Sequence, residues 1–440
     1  MNFYERLTKY RYNYKNSYSS FKFIDFMNTD MEGTYDSYPD KSNENSIRQI
    51  VRSVFSYRRY EPCNPYVFHK VVPSARNVHP NEAFLIEDGF ISRFNSKANQ
   101  FEMLGYSRHY EGRLWIIIAS ELWRIMKFYG DFGLALSLLD VGHIQAHVKL
   151  KLLDSGYERA RLLYGVDTKK LIQSLGFSKN SACIGAVIDL SEYVSEIEFL
   201  SEKDRVKTVI QQRKFNYDDE VGSYPQVIEF LHYRDEPKTK PIAYHEGANK
   251  LCKDLAYEIY RNSGHSTPGL FSTTERLPTA TAKRYAEGIA EYIKYFLGDK
   301  SGFWAGVLYR ALDGEDYLII VSEAGTERIN KCCKIHREEL LHDTFEHINM
   351  NSIPLDIFLI YSIDPYSTQE ENIRNAHIGA GEISQYISLM AAKDGFFARP
   401  MKNFNDNYIS KLIGIDSNRE SIVYSTIIGR ENHYNYVLKL

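Results

Sequence analysis

The 440-residue sequence has little cysteine, and the cysteine that it has follows no Cys-x-x-Cys spacing. Five cysteines are scattered along the chain, and only Cys332 and Cys333 lie close together. Zinc ribbons and thioredoxin-like redox motifs depend on that spacing, so we expect no metal site. Scattered, unpaired cysteines are typical of proteins kept in a reducing compartment, so we expect a cytoplasmic location.

The sequence also lacks a large excess of either charge and lacks a long apolar run. Its 54 Lys and Arg residues and 57 Asp and Glu residues give a net charge of -3. Nucleic-acid surfaces ordinarily need a positive excess, so the composition argues against such a partner. The longest apolar stretch, around residues 115–119, is too short to cross a bilayer, and residues 1–14 are too polar for a signal peptide. We therefore expect neither a nucleic-acid nor a membrane partner.

What the sequence does contain is an internal repeat at an offset of 239 residues. Residues 142–157 and 381–396 each begin with glycine, carry a second glycine 14 residues later and end in an aromatic residue. Apolar residues at helical spacing lie between, and the second glycine is typical of a left-handed helix cap. Asp167 and Asp406 are also 239 apart, and each begins a short helical pattern followed by glycine and a β-rich stretch. An ordered set of features at one offset predicts a duplication.

The duplication predicts two domains, residues 1–235 and residues 242–440, in agreement with a length that exceeds one ordinary core. The boundary is expected in the polar stretch 233–241, which contains proline and lysine. Long helical patterns alternate with short strand patterns, such as 83–87 and 355–361. This mixture predicts an α+β fold with helices flanking an antiparallel-rich sheet.

Several motifs match a known family. Residues 73–80, Pro-Ser-Ala-Arg-Asn-Val-His-Pro, and the strand pattern after them resemble a Pro-Ser-Ala-Gly-x-x-x-Pro loop and strand. Residues 138–143, Leu-Leu-Asp-Val-Gly-His, resemble a Leu-Leu-Glu/Asp-x-Gly-His motif at the start of a long central helix. The turn 395–400 and the terminal Ile-Gly-Arg at 428–430 resemble the C-terminal half of nitroreductases. Together these motifs resemble the SagB/ThcOx-type (McbC-like) nitroreductases, which are FMN-dependent azoline dehydrogenases.

The resemblance implies a nitroreductase-like fold in each copy, an intramolecular pseudo-dimer and FMN as the cofactor. In this family the Pro-Ser loop of one subunit meets the flavin whose phosphate the other subunit holds. The first copy carries that loop but has Asp-Leu at 189–190, which would repel phosphate, where the second copy has Gly-Arg at 429–430. The second copy has a degenerate phosphate segment at 271–276 and acidic residues 312–316 at the expected position of the loop.

These complementary halves predict one intact flavin site and one decayed site. The predicted cofactor-binding residues are Pro73, Ser74, Ala75, Arg76 and Asn77 from the first copy and Ser272, Thr273, Thr274, Arg276, Arg399 and Arg430 from the second.

Each part of this site also has a plainer interpretation. The 73–77 run can be a turn into a strand, and residues 272–274 can cap a helix predicted over 278–293. Arg430 can be a solvated strand residue, and His143 can make a local hydrogen bond rather than take part in catalysis.

The family carries an adjacent Lys-Tyr pair shortly before its long helix, and this pair is expected to take a proton from carbon while hydride passes to the flavin. Counting back from Asp140 places Tyr129 at the family tyrosine and Phe128 at the family lysine. Lys127 is therefore displaced by one residue. Either a local irregularity lets Lys127 reach the site, or the pair is altered. Lys127 and Tyr129 are the predicted catalytic residues.

The resemblance implies oxidation of thiazoline or oxazoline rings in a peptide natural product. It further implies a peptide substrate that carries azoline rings. A cyclodehydratase complex is a partner to consider, and a homodimer stays open. Two other classes stay open: another nitroreductase-fold oxidoreductase driven by NAD(P)H, and a catalytically weak flavin-binding scaffold of a peptide-modifying complex.

Overall fold

The chain folds into two compact units. The computed structural model describes residues 3–8, 46–61, 67–177, 180–196, 222, 224–233, 237–264, 270, 272–332, 335–342, 348–431 and 438–439. The first unit comprises Met1–Tyr57, Ser74–Val141 and Lys151–Ile242, and the second comprises Arg58–Pro73, Gly142–Leu150 and Ala243–Leu440. Phe271 of the predicted phosphate segment and Cys333 lie outside the described residues.

Runs of strands are separated by helices along the described part of the chain. The helices are α1 (Phe3–Thr8), α2 (Ser46–Phe55), α3 (Leu122–Tyr129), α4 (Phe132–Asp154), α5 (Thr168–Ser174), α6 (Pro225–His232), α7 (Thr279–Tyr292), α8 (Gln369–Lys393) and α9 (Asp406–Ile413). The strands are β1 (Arg59–Tyr60), β2 (Phe68–His69), β3 (Asn81–Glu87), β4 (Phe90–Asn95), β5 (Gln100–Tyr106), β6 (Leu114–Glu121), β7 (Arg161–Tyr164), β8 (Ala182–Asp189), β9 (Lys238–Pro241), β10 (Phe303–Arg310), β11 (Asp316–Ser322), β12 (Gly325–Cys332), β13 (Leu355–Ser362), β14 (Phe397–Met401), β15 (Glu420–Gly429) and β16 (Leu438–Lys439). Short 3-10 helices cover Ala75–Asn77, Arg108–Tyr110, Ser191–Glu196, Glu246–Tyr260, Arg337–Leu340 and Met350–Ser352, and Ile293–Leu297 is a π-helix.

The first unit is built on a seven-stranded antiparallel sheet in the order β5-β4-β3-β6-β8-β7-β9. Every residue of β3 is buried, because its apolar run is covered on both faces. The polar stretch expected to separate the domains contributes the edge strand β9, which pairs with β7. Polar residues and a terminal proline are tolerated there because an edge strand has solvent on one side.

The second unit repeats this arrangement. Its six-stranded antiparallel sheet has the order β12-β11-β10-β13-β15-β14, which matches the first sheet strand for strand apart from β9. The register of β6 against β8 shifts between Ile118 and Ala119, and that of β13 against β15 shifts between Leu359 and Ile360. Both positions lie 241 residues apart (359 − 118; 360 − 119). The shared order and shared irregularity confirm the predicted tandem α+β fold. A further three-stranded sheet, β16-β1-β2, belongs to the second unit.

Two expectations from the sequence are wrong in detail. Residues 312–316 lie at the turn between β10 and β11, so their counterpart is the β3–β4 turn and not the Pro-Ser loop. A single offset fails here because β3 and β10 begin only 222 residues apart (303 − 81), which shows that the copies differ in length before these strands. The 138–143 motif also lies well inside α4, which begins at Phe132 rather than near the motif.

The two glycines that reveal the repeat, Gly142 and Gly381, meet in the second unit. A Cβ atom at position 142 would lie 2.1 Å from the carbonyl oxygen of Ile378 and 2.9 Å from Cα of Gly381. Backbone atoms of α8 therefore occupy the space that any side chain at position 142 would need. Glycine at this position lets the two helices approach backbone to backbone.

We expect the substitution Gly142→Ala to destabilise the protein by about 2–3 kcal/mol or more, because the added methyl group overpacks against backbone that cannot move aside. The gain of about 1 kcal/mol in helix propensity is too small to offset this clash. Urea denaturation measures the free energy of unfolding. Gly247→Ala is the matched control, since its Cβ would lie 3.4 Å from its nearest neighbour atom. Equal stability of the two variants would refute the close approach.

Candidate functional site

A buried carboxyl group ties the Pro-Ser loop of the first unit to helix α4. Ser74 Oγ donates a hydrogen bond to Asp140 Oδ2 at 2.5 Å, and the backbone N–H of Ala75 donates to the same carboxyl group. Ser74 Oγ also accepts the backbone N–H of His79 at 2.9 Å. One hydroxyl therefore holds both ends of residues 74–79, which we call the 74–79 loop. Pro73, the preceding residue, belongs to the second unit.

The 74–79 loop has an unusual backbone. Arg76, Asn77 and His79 have φ angles of 50°, 55° and 48°, in the left-handed region that favours glycine. Asn77 Oδ1 lies 2.8 Å from Nε2 of His79, a contact that holds this conformation in place. Left-handed backbone costs about 1–2 kcal/mol for a residue such as arginine. Such strain clusters at functional sites, where the surrounding structure enforces it.

The side chain of Arg76 lies over the aromatic end of helix α3. Its Cζ is 5.3 Å from the ring centroid of Phe128 and 5.6 Å from that of Tyr129, within the range of cation–π attraction. Phe128 is buried and Tyr129 is half-buried, whereas the side chain of Lys127 is exposed. The structure thus brings Arg76 and Tyr129 together. It places Lys127 on the solvent side of α3.

Burial raises the pKa of Asp140 from 3.8 to about 7, against the hydrogen bonds from Ser74 and the Ala75 N–H, which lower it. A buried carboxyl group whose pKa lies near neutrality is a frequent mark of a functional site. The sequence motif contained Asp140, but only the fold shows that its partner is the 74–79 loop.

In the second unit, Ser272 fastens its own segment to the end of β15. Its hydroxyl donates to the carbonyl of Thr274 at 2.8 Å and accepts the N–H groups of Thr274 at 3.1 Å and Arg430 at 3.0 Å. The carbonyl of Arg430 accepts the N–H of Thr273 at 2.8 Å and its hydroxyl at 3.1 Å. A Cβ atom at Gly429 would lie 2.6 Å from Ser272, so the segments touch closely. These four predicted residues are brought together, with the Ser272 hydroxyl fully used in the contact.

The alternative that residues 272–274 cap a helix is wrong. Helix α7 begins at Thr279 with Pro278 as its N-cap residue, and no side chain makes a cap hydrogen bond there. The segment lies several residues before the helix and bonds to the end of β15 instead.

The predicted phosphate-binding arginines of the second unit take up different positions. Arg430 is exposed, and its Cζ lies 5.4 Å from the ring centroid of Phe396. Arg399 lies on β14, the neighbour of β15, and is half-buried. Arg276 is directed toward the β10–β11 turn, where it donates to the carbonyl of Leu312 at 3.4 Å. Arg399 thus lies on β14 and Arg430 directly follows the adjacent strand β15, while Arg276 bonds to a different turn.

Sequence interpretation weighed His143 alone and passed over its buried neighbour His147 in α4. His143 and His147 are four residues apart, and the amide of Gln385 bridges their Nδ1 atoms at 3.2 and 3.1 Å. His147 Nε2 lies 2.7 Å from Glu258. Burial, and then the charge of Arg261, lower the pKa of His143 to about 3, so it is neutral at physiological pH. Among the described residues no group of three His, Cys, Asp or Glu side chains could hold a metal ion.

Comparison with known proteins identifies the fold. No family model and no curated protein matches the sequence. The crystal structure of a candidate nitroreductase from Anabaena variabilis matches 98% of this chain and 99% of its own, with a TM-score of 0.67 and 16% identity. The chain has the nitroreductase fold.

Two further solved structures match this chain, but their TM-scores are too low to support any argument about its fold. One is a candidate nitroreductase from Ralstonia eutropha, with a TM-score of 0.30 and 13% identity over 41% of this chain and 84% of its own. The other is the E. coli microcin synthetase McbBCD complex with truncated pro-MccB17 bound, with a TM-score of 0.33 and 12% identity over 55% of this chain and 87% of the matched chain. None of the helices in the described ranges has both the length and the apolar character needed to cross a bilayer.

We expect Asp140 to make stability depend on pH. Because its pKa is raised to about 7, the folded chain holds the proton more tightly than the unfolded chain does, whose carboxyl group has a pKa near 3.8. The stability that the protonated carboxyl group of Asp140 contributes is complete below its pKa in the unfolded chain. It is lost as pH rises through about 7. Asp140→Asn cannot ionise, so the stability of wild type relative to this variant should fall by about 2 kcal/mol between pH 5 and pH 8.

Urea denaturation at both pH values measures this difference. Asp416→Asn, which changes an exposed carboxyl group, is the control and should track wild type at both pH values. A constant difference between wild type and Asp140→Asn would mean that Asp140 keeps an ordinary pKa in the folded chain.

Proposed function

We propose that this nitroreductase-fold protein is an FMN-dependent oxidoreductase that oxidises thiazoline or oxazoline rings of a peptide to thiazoles or oxazoles. The observation that carries the proposal is the 74–79 loop. It follows Pro73 in a motif that resembles azoline dehydrogenases, it is held in left-handed backbone against Asp140, and it sets Arg76 over Tyr129. A peptide that bears such rings is the proposed substrate, and the enzyme that forms the rings is the proposed partner.

The second unit supplies groups that suit the phosphate of FMN, although not all of those expected. Arg399 and Arg430 carry guanidinium groups, which match phosphate oxygens in charge and geometry. The hydroxyl of Ser272 is fully engaged with Thr274 and Arg430, so we assign it to holding the segment in place rather than to the phosphate. FMN, when bound, supplies the acceptor for the hydride that ring oxidation releases.

The first unit supplies groups for the proton. Forming the aromatic ring removes a hydride and a proton from adjacent ring atoms, and the proton needs a base. Tyr129 is the proposed base; it is half-buried, and Arg76 Cζ lies 5.6 Å from the centroid of its ring. Lys127 is the second proposed catalytic residue. Its side chain is exposed, and Gly130, with a φ of 56°, ends α3 directly after the turn that carries it.

The exposure of Lys127 favours a second candidate function. Buried Phe128 stands where the resembling enzymes carry lysine, which removes an amine from that place. A nitroreductase-fold oxidoreductase that uses NAD(P)H to reduce another substrate does not need the lysine. A catalytically weak flavin-binding scaffold would not need it either.

We expect the purified protein to be yellow and to release FMN on denaturation. Arg430→Ala should weaken FMN binding about ten- to hundredfold, because charge-assisted hydrogen bonds to phosphate contribute about 1.5–3 kcal/mol. Arg419→Ala changes an exposed arginine and serves as the control. Flavin fluorescence quenching measures the affinity. A protein that stays colourless and cannot be reconstituted with FMN would exclude both oxidoreductase candidates.

We expect Tyr129→Phe to lower the rate of azoline oxidation about 10²–10⁴-fold, because a positioned acid or base contributes that much. The assay follows loss of two mass units from an azoline peptide, with Tyr366→Phe, at an exposed position, as the control. Lys127→Ala should have the same effect if its amine takes part in the reaction and none if Tyr129 acts alone. Full activity of Tyr129→Phe would remove this residue from the mechanism, and nitro reduction by NAD(P)H without azoline oxidation would favour the second candidate.

A further inference from the structure

Arg76 is the residue at which the segment 73–80 departs from the Pro-Ser-Ala-Gly-x-x-x-Pro motif that it resembles. The motif has glycine at this position, and glycine adopts left-handed backbone at no steric cost. Arg76 takes up the same kind of conformation, with a φ of 50° and a ψ of 23°, in spite of its side chain. The loop therefore has a backbone that suits glycine, with a guanidinium group added to it.

The guanidinium group of Arg76 lies beside the proposed base. Its Cζ is 5.6 Å from the ring centroid of Tyr129 and 5.3 Å from that of Phe128. Phe128 is buried, whereas Arg76 and Tyr129 are half-buried. The faces of aromatic rings attract a cation, and both rings belong to α3. The guanidinium group is thus held against a helix, next to a tyrosine that solvent can reach.

The acidic groups along α3 are compensated by partners other than Arg76. Glu121 Oε2 lies 2.5 Å from Nε of Arg124, and Glu82 Oε1 lies 3.0 Å from Nη2 of the same arginine. Asp131 is the N-cap residue of α4, where the positive end of the helix dipole stabilises a carboxylate. These carboxylates therefore have a cation or a helix end of their own.

We infer that Arg76 recognises a carboxylate of the substrate beside the reacting ring, so that the protein prefers acidic azoline peptides to neutral ones. This inference rests on the proposed function. A guanidinium group binds a carboxylate through two parallel charge-assisted hydrogen bonds, and partial burial strengthens them. Arg76 thus contacts the substrate, whereas the motif alone suggested a contact with the cofactor.

Two kinds of carboxylate fit this position. One is an acidic side chain on the residue next to the ring, and the other is a free carboxylate carried by the ring itself at the end of a peptide. In both cases the negative charge lies a few bonds from the ring atom that loses its proton. This short separation agrees with the closeness of Arg76 to Tyr129.

The first experiment measures kcat and KM of the full-length, flavin-loaded protein for two pairs of azoline peptides. One pair has Glu or Gln next to the ring, and the other pair ends in the ring as a carboxylate or a carboxamide. We expect kcat/KM of wild type to be about ten- to hundredfold higher for the acidic member of one pair, mainly through KM, because the neutral member lacks the charge-assisted hydrogen bonds. The pair that shows this preference identifies the carboxylate.

Three variants decide whether Arg76 causes the preference. Arg76→Gln and Arg76→Gly should bring the acid-to-neutral ratio of kcat/KM to about one, because both remove the guanidinium group. Glycine also fits a φ of 50°, so Arg76→Gly folds without the backbone strain. Arg113→Gln is the matched control and should keep the wild-type ratio, since Arg113 is exposed and its Cζ lies 5.8 Å from the ring centroid of Trp115. A ratio near one in wild type, or an unchanged ratio in both Arg76 variants, would overturn the inference.

The second experiment measures binding without turnover. The thiazole forms of the same peptides, which cannot be oxidised further, are titrated into the full-length protein in a calorimeter. We expect wild type and Arg113→Gln to bind the acidic member of one pair about ten- to hundredfold more tightly than the neutral member, and the Arg76 variants to bind both equally. Equal binding of both members by wild type contradicts the inference, whether or not the protein oxidises azolines.

The two experiments together separate the two proposals. A protein that oxidises no azoline, but binds acidic thiazole peptides in preference through Arg76, refutes the proposed function alone. A protein that oxidises azolines with the same acid-to-neutral ratio in wild type and in the Arg76 variants refutes this inference alone.

Discussion

The second unit depends on the absence of a side chain at Gly142, which lets the middle of α4 touch the backbone of α8. Glu382 of α8 lies close to this contact, and its carboxylate oxygens accept Lys149 Nζ at 2.9 and 2.8 Å. Tyr292 of α7 donates to the same carboxylate at 3.1 Å. A buried ion pair tolerates little error in geometry, because the desolvation of both charges must be recovered by their contact. The separation of the two helices therefore has to match the ion pair, and glycine at position 142 permits this short separation.

The same helix carries Asp140, which holds the 74–79 loop through the hydroxyl of Ser74 and the backbone N–H of Ala75. Left-handed backbone at Arg76 and Asn77 persists only if its surroundings enforce it. The hydroxyl of Ser74 donates to Asp140 of the helix and accepts the N–H of His79, and so it restrains both ends of the loop. A glycine at position 76 would relax the strain but would remove the cation from Tyr129.

Much of the fold could be predicted because the repeat is marked by residues with local conformational needs. Gly156 and Gly395 end their helices at φ angles of 83° and 69°, as the sequence indicated. The assignment of residues 312–316 failed because loop lengths are free to differ between copies, and no local preference records the change. The hydrogen bond from Arg59 to the backbone carbonyl of Arg261 could not be predicted for another reason: the two residues are 202 positions apart, and only tertiary structure joins them.

Strand β9 limits where the chain can be cut into two separate polypeptides. The stretch between the copies supplies the outermost strand of the first sheet, hydrogen-bonded to β7, instead of acting as a spacer. A break in the chain after residue 235 would place β9 on the polypeptide of the second copy. It would leave β7 as an unpaired edge strand, which can pair with other chains. The stretch between the copies is therefore part of the first unit and not a separable linker.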